Sequence, residues 1–401
     1  MATWYHHLTW QALRRTWVNH LHDKFGVVIE IHGLLPRPPF VLMATHSNAY
    51  DPYVIGSLLD EPLRYMANIE GVAPWKTLFA EALGAYARRK GQSDIAALRK
   101  TIELVHSGDA VGLFPEGDRS WDGRSEKARP GSARLLKRLG VDLVLVRQKG
   151  SYLSFPRWAG HPRSGHWSLD VRSFGADEIG RLSEPLLDAL ITGSLRRDEV
   201  REATSEGRRF EAPHGAAEGV GRILWRCPVC RKTDGITGEG DDITCVRCGA
   251  RWHMDANLFI EPANHSRALH ATQIADLLDW HDWQRDTLPD LMVGGTEKRP
   301  CLTSHNVSLA RRAHGGLERL GHGTLSYGGG ELVFQGSRGR AVFEPAAVRG
   351  FVDNFNRYCE FSHRGERWRA NFNGGNAAKW IFALRSIEES RQPSSSKGAA
   401  A

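Results

Sequence analysis

Four of the six cysteines fall in two Cys-x-x-Cys pairs that are separated by 14 residues. The first pair is Cys227 and Cys230, and the second pair is Cys245 and Cys248. Two tight turns at this spacing can place four thiolates at the corners of a tetrahedron, which is the geometry that Zn²⁺ prefers. The pattern predicts a zinc ribbon over residues 222–260 with a structural zinc, because four protein ligands leave no open position for a substrate. A redox-active dithiol is the alternative, and the presence of two such pairs argues against it.

The length of 401 residues requires more than one hydrophobic core. Hydrophobic residues make up 41% of the chain and charged residues 25%, as in ordinary globular domains. Apolar runs such as residues 41–44 are far shorter than the roughly 20 residues that cross a bilayer, and the first 30 residues lack the apolar core of a secretory signal peptide. We therefore expect a cytoplasmic protein. The formal net charge of +7 is compatible with binding to anionic lipid, phosphorylated substrates or nucleic acid, and it selects none of them.

Short apolar segments alternate with helical ones along the first half of the chain. Helical spacing occurs at residues 75–83 and 95–105, and strand character occurs at residues 27–31, 40–45, 63–67, 110–114 and 142–146. This order predicts an α/β fold with a mostly parallel sheet and flanking helices. Before the first strand, an apolar stripe at steps of three and four predicts one amphipathic helix, which either covers the core or contacts a membrane surface. The stripe consists of Trp10, Leu13, Trp17, Leu21 and Phe25.

The region after the cysteine pairs has two further parts. Residues 261–299 are predicted to form a helical linker. Residues 300–390 are predicted to form a small α+β, barrel-like module that ends in a helix over residues 377–387, and residues 391–401 a disordered tail. The strands of the module are predicted at residues 323–336, 340–345, 358–365 and 366–372.

The segment THSNAYDP places His46 directly after a predicted strand and five residues before Asp51. Asp51 precedes Pro52 and an apolar segment, so it is predicted to be the N-cap of a helix that has proline at its first position. A histidine close to such a carboxylate can act as a general base, because the carboxylate holds its tautomer and stabilises the imidazolium. Either residue alone has an ordinary structural explanation, since Asp before Pro is a common cap.

Two further segments offer cationic side chains. In AVGLFPEGDRS, a predicted strand runs into a Pro-Gly turn, after which Arg119 presents a planar guanidinium suited to a phosphate and Glu116 can anchor the loop or a neighbouring cation. In GAYARRKGQSD, residues 88–90 carry three positive charges, which form either a second phosphate contact or a solvated charge run. Each segment alone is also typical of an ordinary surface turn.

Together, in this order and spacing, the three segments resemble the phospholipid/glycerol acyltransferase family, which includes the 1-acylglycerol-3-phosphate acyltransferases. Residues 46–51 match its HxxxxD motif, residues 84–90 its glycine-to-arginine block, and residues 114–120 its FPEGxRS block. The resemblance implies a glycerolipid acyltransferase-like domain, which we assign to residues 1–215. It implies transfer of a fatty acyl chain from coenzyme A or acyl carrier protein to the hydroxyl of a lysophospholipid, foremost 1-acylglycerol-3-phosphate, in phospholipid biosynthesis or remodelling.

The resemblance also implies residue roles. His46 is the base and Asp51 orients it, and direct transfer is expected because no Ser or Cys nucleophile is paired with a base. The substrate-binding residues that it implies are Arg89, Lys90, Glu116, Gly117, Arg119 and Ser120, with Arg119 and either Arg89 or Lys90 on the phosphate. The sequence departs from the family at Asn48, where Ser is common, and at Asp118, where Thr is usual.

The C-terminal module resembles pleckstrin-homology-like or GRAM-like domains in its order of strands before a helix with a Trp. We therefore expect a protein that is peripheral on the inner face of the membrane, with a lysophospholipid acceptor, an acyl thioester donor and a protein partner recruited by the zinc ribbon. Nucleic acid is not expected. The alternative is a catalytically inactive lipid- or partner-binding scaffold recruited through the ribbon and the module, and the intact His46, Asp51 and Arg119 argue against it.

Overall fold

The computed structural model describes residues 4–67, 74–87, 95–126, 128–270, 273–313, 316–354, 358–373 and 376–389. These residues divide into two compact units, with the boundary between His214 and Gly215. The first unit mixes helices and strands, so the predicted α/β class is confirmed, and the second unit is largely sheet. The predicted tail lies outside the described residues. Among the helices of the described ranges, none has both the length and the apolar character that a bilayer span requires.

The helices of the first unit are α1 (Trp4–Leu13), α2 (Asn19–Phe25), α3 (Asp51–Gly56), α4 (Pro74–Ala82), α5 (Ile95–His106), α6 (Ser132–Leu139), α7 (Ser151–Ser154), α8 (Ala176–Arg181), α9 (Glu184–Ser194) and α10 (Glu199–Ser205). Its strands are β1 (Val28–His32), β2 (Phe40–Ala44), β3 (Arg64–Ala67), β4 (Tyr86–Ala87), β5 (Val111–Leu113), β6 (Asp142–Lys149) and β7 (Ser168–Phe174).

The strands of the first unit form one sheet in the order β1-β7-β6-β2-β5-β3-β4. Neighbouring strands are parallel, except that β6 and β7 are antiparallel. Strand β2 is buried on both faces: Phe40 and Leu42 belong to one apolar cluster, and Val41 and Met43 to another. This explains its unbroken apolar sequence. Since β2 and β5 are parallel neighbours, the loops that follow them meet at one edge of the sheet.

The predicted N-terminal amphipathic helix is interrupted. A π-helical turn, Arg14–Val18, separates α1 from α2. The wider turn shifts the phase of the helix, so that Val18 is buried while Trp17 is 40% exposed. The prediction of a single stripe through Trp17 was therefore wrong at its centre, although Trp10 and Phe25 at its ends are buried.

The helices of the second unit are α11 (Leu277–Asp286), α12 (Leu288–Val293) and α13 (Ala378–Glu389). Its strands are β8 (Ile236–Glu239), β9 (Asp242–Cys245), β10 (Arg251–Met254), β11 (Ile260–Pro262), β12 (Leu302–Ala313), β13 (Gly316–Gly328), β14 (Glu331–Gly336), β15 (Gly339–Phe343), β16 (Val348–Asn354), β17 (Tyr358–His363) and β18 (Glu366–Phe372). Three-residue to four-residue 3₁₀ helices lie at Val220–Arg222, Arg267–His270 and Pro345–Ala347.

Two antiparallel sheets organise the second unit. A four-stranded sheet in the order β11-β10-β9-β8 follows the first cysteine pair, and a seven-stranded sheet has the order β15-β14-β13-β12-β18-β17-β16. The buried Lys379 of α13 bonds to Asp234 near the cysteines and to the carbonyl of Thr303 on β12. Packing between the four-cysteine segment and the C-terminal sheet therefore includes an ion pair whose lysine is buried and whose aspartate is partly exposed.

Candidate active site and metal centre

His46 and Asp51 form a hydrogen-bonded pair, called the dyad below, at the edge of the sheet beyond β2. The Nδ1 atom of His46 lies 2.7 Å from Oδ2 of Asp51. The Asp51 side chain is fully buried, whereas that of His46 is 19% exposed. Because the carboxylate occupies Nδ1, the imidazole presents Nε2 for proton transfer.

Asp51 does not have the N-cap role that the sequence predicts. It is the first residue of α3, the cap position belongs to Tyr50, and no side chain caps the helix. The Asp51 carboxylate turns back to the loop, where it accepts the backbone N–H groups of Ser47 at 2.6 Å and Asn48 at 3.0 Å. Charge-assisted bonds to two amides fix the loop that carries His46, so the carboxylate orders the loop as well as the ring.

Asn48, one of the departures from the family pattern, has a structural position. Its buried side-chain amide donates to the carbonyl of Ser151 at 2.7 Å and accepts the N–H of Tyr50 at 2.7 Å. The hydroxyl of Ser151 donates to Oδ1 of Asp51 at 2.8 Å. Asn48 and Ser151 therefore tie the dyad to α7.

An aromatic stack supports the imidazole. The ring of His46 lies 4.0 Å from that of Phe114, centroid to centroid and nearly parallel, and Phe114 stacks on Tyr65 at 5.6 Å. Burial lowers the pKa of His46 below its ordinary value, although the hydrogen bond that the imidazole donates to Asp51 raises it. The imidazole is therefore neutral at neutral pH, which is the form that a general base requires.

The turn after β5 is held to the dyad by Glu116 and Ser120. The buried Glu116 carboxylate accepts the N–H of His46 at 3.1 Å, and the N–H of Ser120 donates to the carbonyl of His46 at 2.9 Å. Gly117 has a positive φ of 77°, and a Cβ there would lie 1.9 Å from Nε of Arg129. These three residues, which the sequence suggested as substrate contacts, have contacts that shape the loop.

Arg119 follows this turn and carries its charge close to the dyad, where it lowers the pKa of His46. Its carbonyl accepts a hydrogen bond of 2.8 Å from the buried Arg157, and its N–H donates to Asp118. Arg157 lies 3.5 Å from the Asp118 carboxylate and stacks over Trp121. The second departure from the family pattern, Asp118, is thus paired with a buried cation.

Two predicted substrate contacts, Arg89 and Lys90, lie outside the described residues. Two charged residues near the dyad were missed by the sequence reasoning. Arg197 donates to the carbonyl of His46 at 3.0 Å, and the fully buried Glu199 bonds to the loop and to α7. They lie about 150 residues beyond the histidine in a polar segment with no motif, so no local pattern could have identified them.

The four paired cysteines meet at one point of the second unit. Their sulfur atoms all lie within 4.8 Å of one another. The Sγ atoms of Cys227 and Cys248 are 3.8 Å apart, as are those of Cys230 and Cys245. A Zn²⁺ at about 2.3 Å from four sulfurs in a tetrahedron requires sulfur separations of about 3.8 Å. The side chains therefore fit a closed four-cysteine metal site.

The two cysteine turns have the same backbone geometry. Cys227 and Cys245 each donate an N–H to the carbonyl five residues later, at 3.0 and 2.9 Å. The residue after the second cysteine of each pair is left-handed, Arg231 with a φ of 58° and Gly249 with a φ of 74°. Two equivalent turns facing each other are the arrangement that a zinc ribbon needs.

Comparison with known proteins bears on the first unit. Residues 28–147 match the family model described as Acyltransferase. A lyso-ornithine lipid O-acyltransferase from Pseudomonas aeruginosa is 29% identical over 109 residues, which cover 27% of this chain and 42% of that protein. The chain therefore matches less than half the length of this curated relative.

Among solved structures, the crystal structure of a 1-acyl-sn-glycerophosphate acyltransferase from Thermotoga maritima has a TM-score of 0.37 and 19% sequence identity. That alignment covers 49% of this chain and 82% of the other. The family match spans β1 to β6 and so includes the dyad and the FPEG turn. It supports the resemblance to acyltransferases that the motifs indicate.

Proposed function

We propose that the first unit is an O-acyltransferase that moves a fatty acyl chain from an acyl thioester to the hydroxyl of a lysophospholipid. The hydrogen bond of 2.7 Å between Asp51 and Nδ1 of His46 carries the proposal, because it leaves Nε2 of a neutral imidazole as the base. The match of residues 28–147 to the acyltransferase family supports the same chemistry.

The reaction needs one base that acts twice. Nε2 of His46 takes the proton of the acceptor hydroxyl while its oxygen attacks the thioester carbonyl carbon. The tetrahedral intermediate collapses with cleavage of the carbon–sulfur bond, and the imidazolium returns the proton to the departing thiolate. Asp51 stabilises the imidazolium between these steps. General-base action of this kind contributes about 10²- to 10⁴-fold in rate, and the rest comes from positioning and electrostatics.

The acceptor that we propose is 1-acylglycerol-3-phosphate, with its phosphate on Arg119 and on either Arg89 or Lys90. The guanidinium of Arg119 supports this, since it is close enough to lower the pKa of His46. The two similar proteins are named for acceptors with different head groups, a lyso-ornithine lipid and a 1-acyl-sn-glycerophosphate. The donor is the thioester of coenzyme A or acyl carrier protein.

The test is a panel of both donors against lysophosphatidate, other lysophospholipids and lyso-ornithine lipid, with products identified by mass spectrometry. We expect diacylated product from lysophosphatidate with wild type and none with His46→Ala. His106→Ala, which changes an exposed histidine at the end of α5, is the matched control and should retain activity. Release of free fatty acid alone, or product from the folded His46→Ala protein, would contradict the proposal.

For the second unit we propose a structural Zn²⁺ on Cys227, Cys230, Cys245 and Cys248, which would contribute folding free energy and no chemistry. We further propose that the seven-stranded sheet with α13 is a pleckstrin-homology-like or GRAM-like module, and that the ribbon recruits a protein partner.

The proposed location is cytoplasmic, on the inner face of the membrane, and exposed Trp4 and Leu8 of α1 support contact with lipid. Flotation with anionic vesicles tests the membrane contact, and metal analysis tests the zinc.

A further inference from the structure

A segment beyond the residues that match the acyltransferase family packs directly against the loop of the dyad. It comprises residues 197–199, between α9 and the first turn of α10. Its backbone is held by the chain that follows the FPEG turn: Glu199 donates an N–H to the carbonyl of Gly123, and Ser125 donates to the carbonyl of Arg197, each at 3.2 Å. This pairing fixes the origin of two buried charged side chains, those of Arg197 and Glu199.

Arg197 holds the backbone of His46 from one side. Its fully buried guanidinium donates from Nη2 to the carbonyl oxygen of His46 at 3.0 Å. The same nitrogen lies 3.7 Å from Oε1 of Glu116, and that oxygen accepts the N–H of His46 at 3.1 Å. Both backbone polar groups of His46 are therefore bound by one buried pair of opposite charges.

Glu199 extends this contact to the rest of the dyad loop. Its Oε1 lies 3.5 Å from Nε of Arg197 and accepts the hydroxyl of Ser47 at 3.3 Å. Its Oε2 accepts the N–H of Tyr152 at 2.9 Å. Tyr152 belongs to α7, the helix that also holds the carboxylate of the dyad, so Glu199 joins both sides of the site.

The buried contacts of Arg197 with Glu116 and Glu199 contribute little to the stability of the fold. Among the described residues, Nε and Nη1 of Arg197 have no hydrogen-bond partner, and a buried ion pair with unused donors contributes little to folding. We propose that Arg197 and Glu199 are positioning residues for acyl transfer: with Glu116, they fix the backbone of His46 so that Nε2 faces the acceptor hydroxyl. The inference rests on the proposed function.

The ionisation of Glu199 should make its contact with Arg197, and therefore the activity, depend on pH. Burial raises the pKa of Glu199 to about 7, which Arg197 and Arg208 oppose and Asp51 reinforces. Below that pH, Glu199 is protonated and no longer faces Arg197 as a carboxylate. Since burial keeps the pKa of His46 below its ordinary 6.5, activity should rise with pH through the ionisation of Glu199 rather than that of His46.

The experiment compares full-length Glu199→Gln and Arg197→Lys with wild type, using palmitoyl coenzyme A and lysophosphatidate from about pH 5 to 9. Glu199→Gln should move the rising limb of kcat from near 7 to below 6.5, with kcat lowered roughly ten- to a hundredfold and KM for the donor unchanged. Arg197→Lys keeps the charge but loses the forked donors, and should lower kcat likewise. Arg196→Met, an exposed neighbour, is the control and should be unchanged. The inference would be overturned if Glu199→Gln left both kcat and the rising part of its pH profile unchanged.

A second measurement does not depend on turnover. Proteins with ¹³C-labelled histidine are titrated by NMR, and the His46 signal is assigned by its absence in His46→Ala. The wild-type curve should show a second inflection near pH 7 that Glu199→Gln lacks. A single inflection in both proteins refutes the coupling even where wild type acylates lipid. The second inflection in a wild type that acylates no lipid refutes the proposed function and leaves the contact of Glu199 with the His46 loop in place.

Discussion

Replacing Asp51 with Asn separates the geometry of the dyad from its charge. The Asp51 oxygen that contacts His46 also accepts the N–H groups of Ser47 and Asn48, and an amide oxygen can accept the same three donors. The variant should therefore fold and keep the imidazole oriented. It loses the anion that faces the imidazolium. At an effective dielectric constant of about 20 and a charge separation of about 4 Å, that attraction is about 4 kcal/mol. Since about 1.36 kcal/mol is tenfold in rate, kcat should fall about 10³-fold.

The assay follows release of free thiol from acyl coenzyme A at saturating acceptor, with circular dichroism to show that each variant is folded. Ser151→Ala is the matched control, because Ser151 donates to the other oxygen of Asp51 and leaves the contact with His46 intact. Because the loss of that bond leaves the charge of Asp51 and its contact with His46 in place, it should lower kcat much less than Asp51→Asn does. A folded Asp51→Asn protein within tenfold of wild type would refute the assigned role of the charge.

Three other perturbations have defined outcomes. Arg119→Ala should raise KM for a phosphorylated acceptor much more than KM for the donor, and equal changes would count against a phosphate contact. The double substitution of Cys227 and Cys230 by Ser should lose one zinc per chain by metal analysis and expose residues 222–260 to proteolysis while the first unit keeps its secondary structure. Burial raises the pKa of Glu199 from 4.5 to about 7, so between these values the folded state retains a proton that the unfolded state has lost, and its stability falls as pH rises. Glu199→Gln removes this dependence of stability on pH. In thermal unfolding, the free energy of unfolding of the variant should therefore rise relative to that of wild type between about pH 5 and 8, by at most about 3 kcal/mol.

The sequence predicted elements best where one pattern dominated. Strand β2 was found within one residue of its predicted end, because a strand buried on both faces is an unbroken apolar run. Strands β12 and β16 were not predicted. Strand β12 contains Ser, His, Asn and Arg side chains, and β16 contains a glycine, so neither resembles an apolar strand in isolation. Strand β12 also pairs with β18, which lies far from it in the sequence, and a local pattern contains no information about that partner.

At the candidate site, the sequence predicted the contact between His46 and Asp51 but not the side chains that hold their loop in place. His46 and Asp51 stand five residues apart, and a short loop between a strand and a helix can bring them into contact without help from the rest of the chain. The N-cap role of Asp51 was wrong because the carboxylate turns to the amides of Ser47 and Asn48 before the helix. The aromatic stack on Phe114 was not predicted either, since it depends on the pairing of β2 with β5.

The distribution of charge around His46 explains why the side chains that bond to its backbone are remote in sequence. The backbone N–H and carbonyl of His46 lie in a loop and have no strand partner, and both bond to groups from other parts of the chain. A carboxylate, Glu116, satisfies the N–H, and once that carboxylate is buried it requires a cation. Arg197 is that cation, and it donates to the carbonyl of His46 together with the N–H of Ser120. A second carboxylate, Glu199, lies 3.5 Å from the same guanidinium. Each buried charge thus faces an opposite one, and Arg197 and Glu199 both come from residues 197–199, which pack against the loop of the dyad and the chain after the FPEG turn.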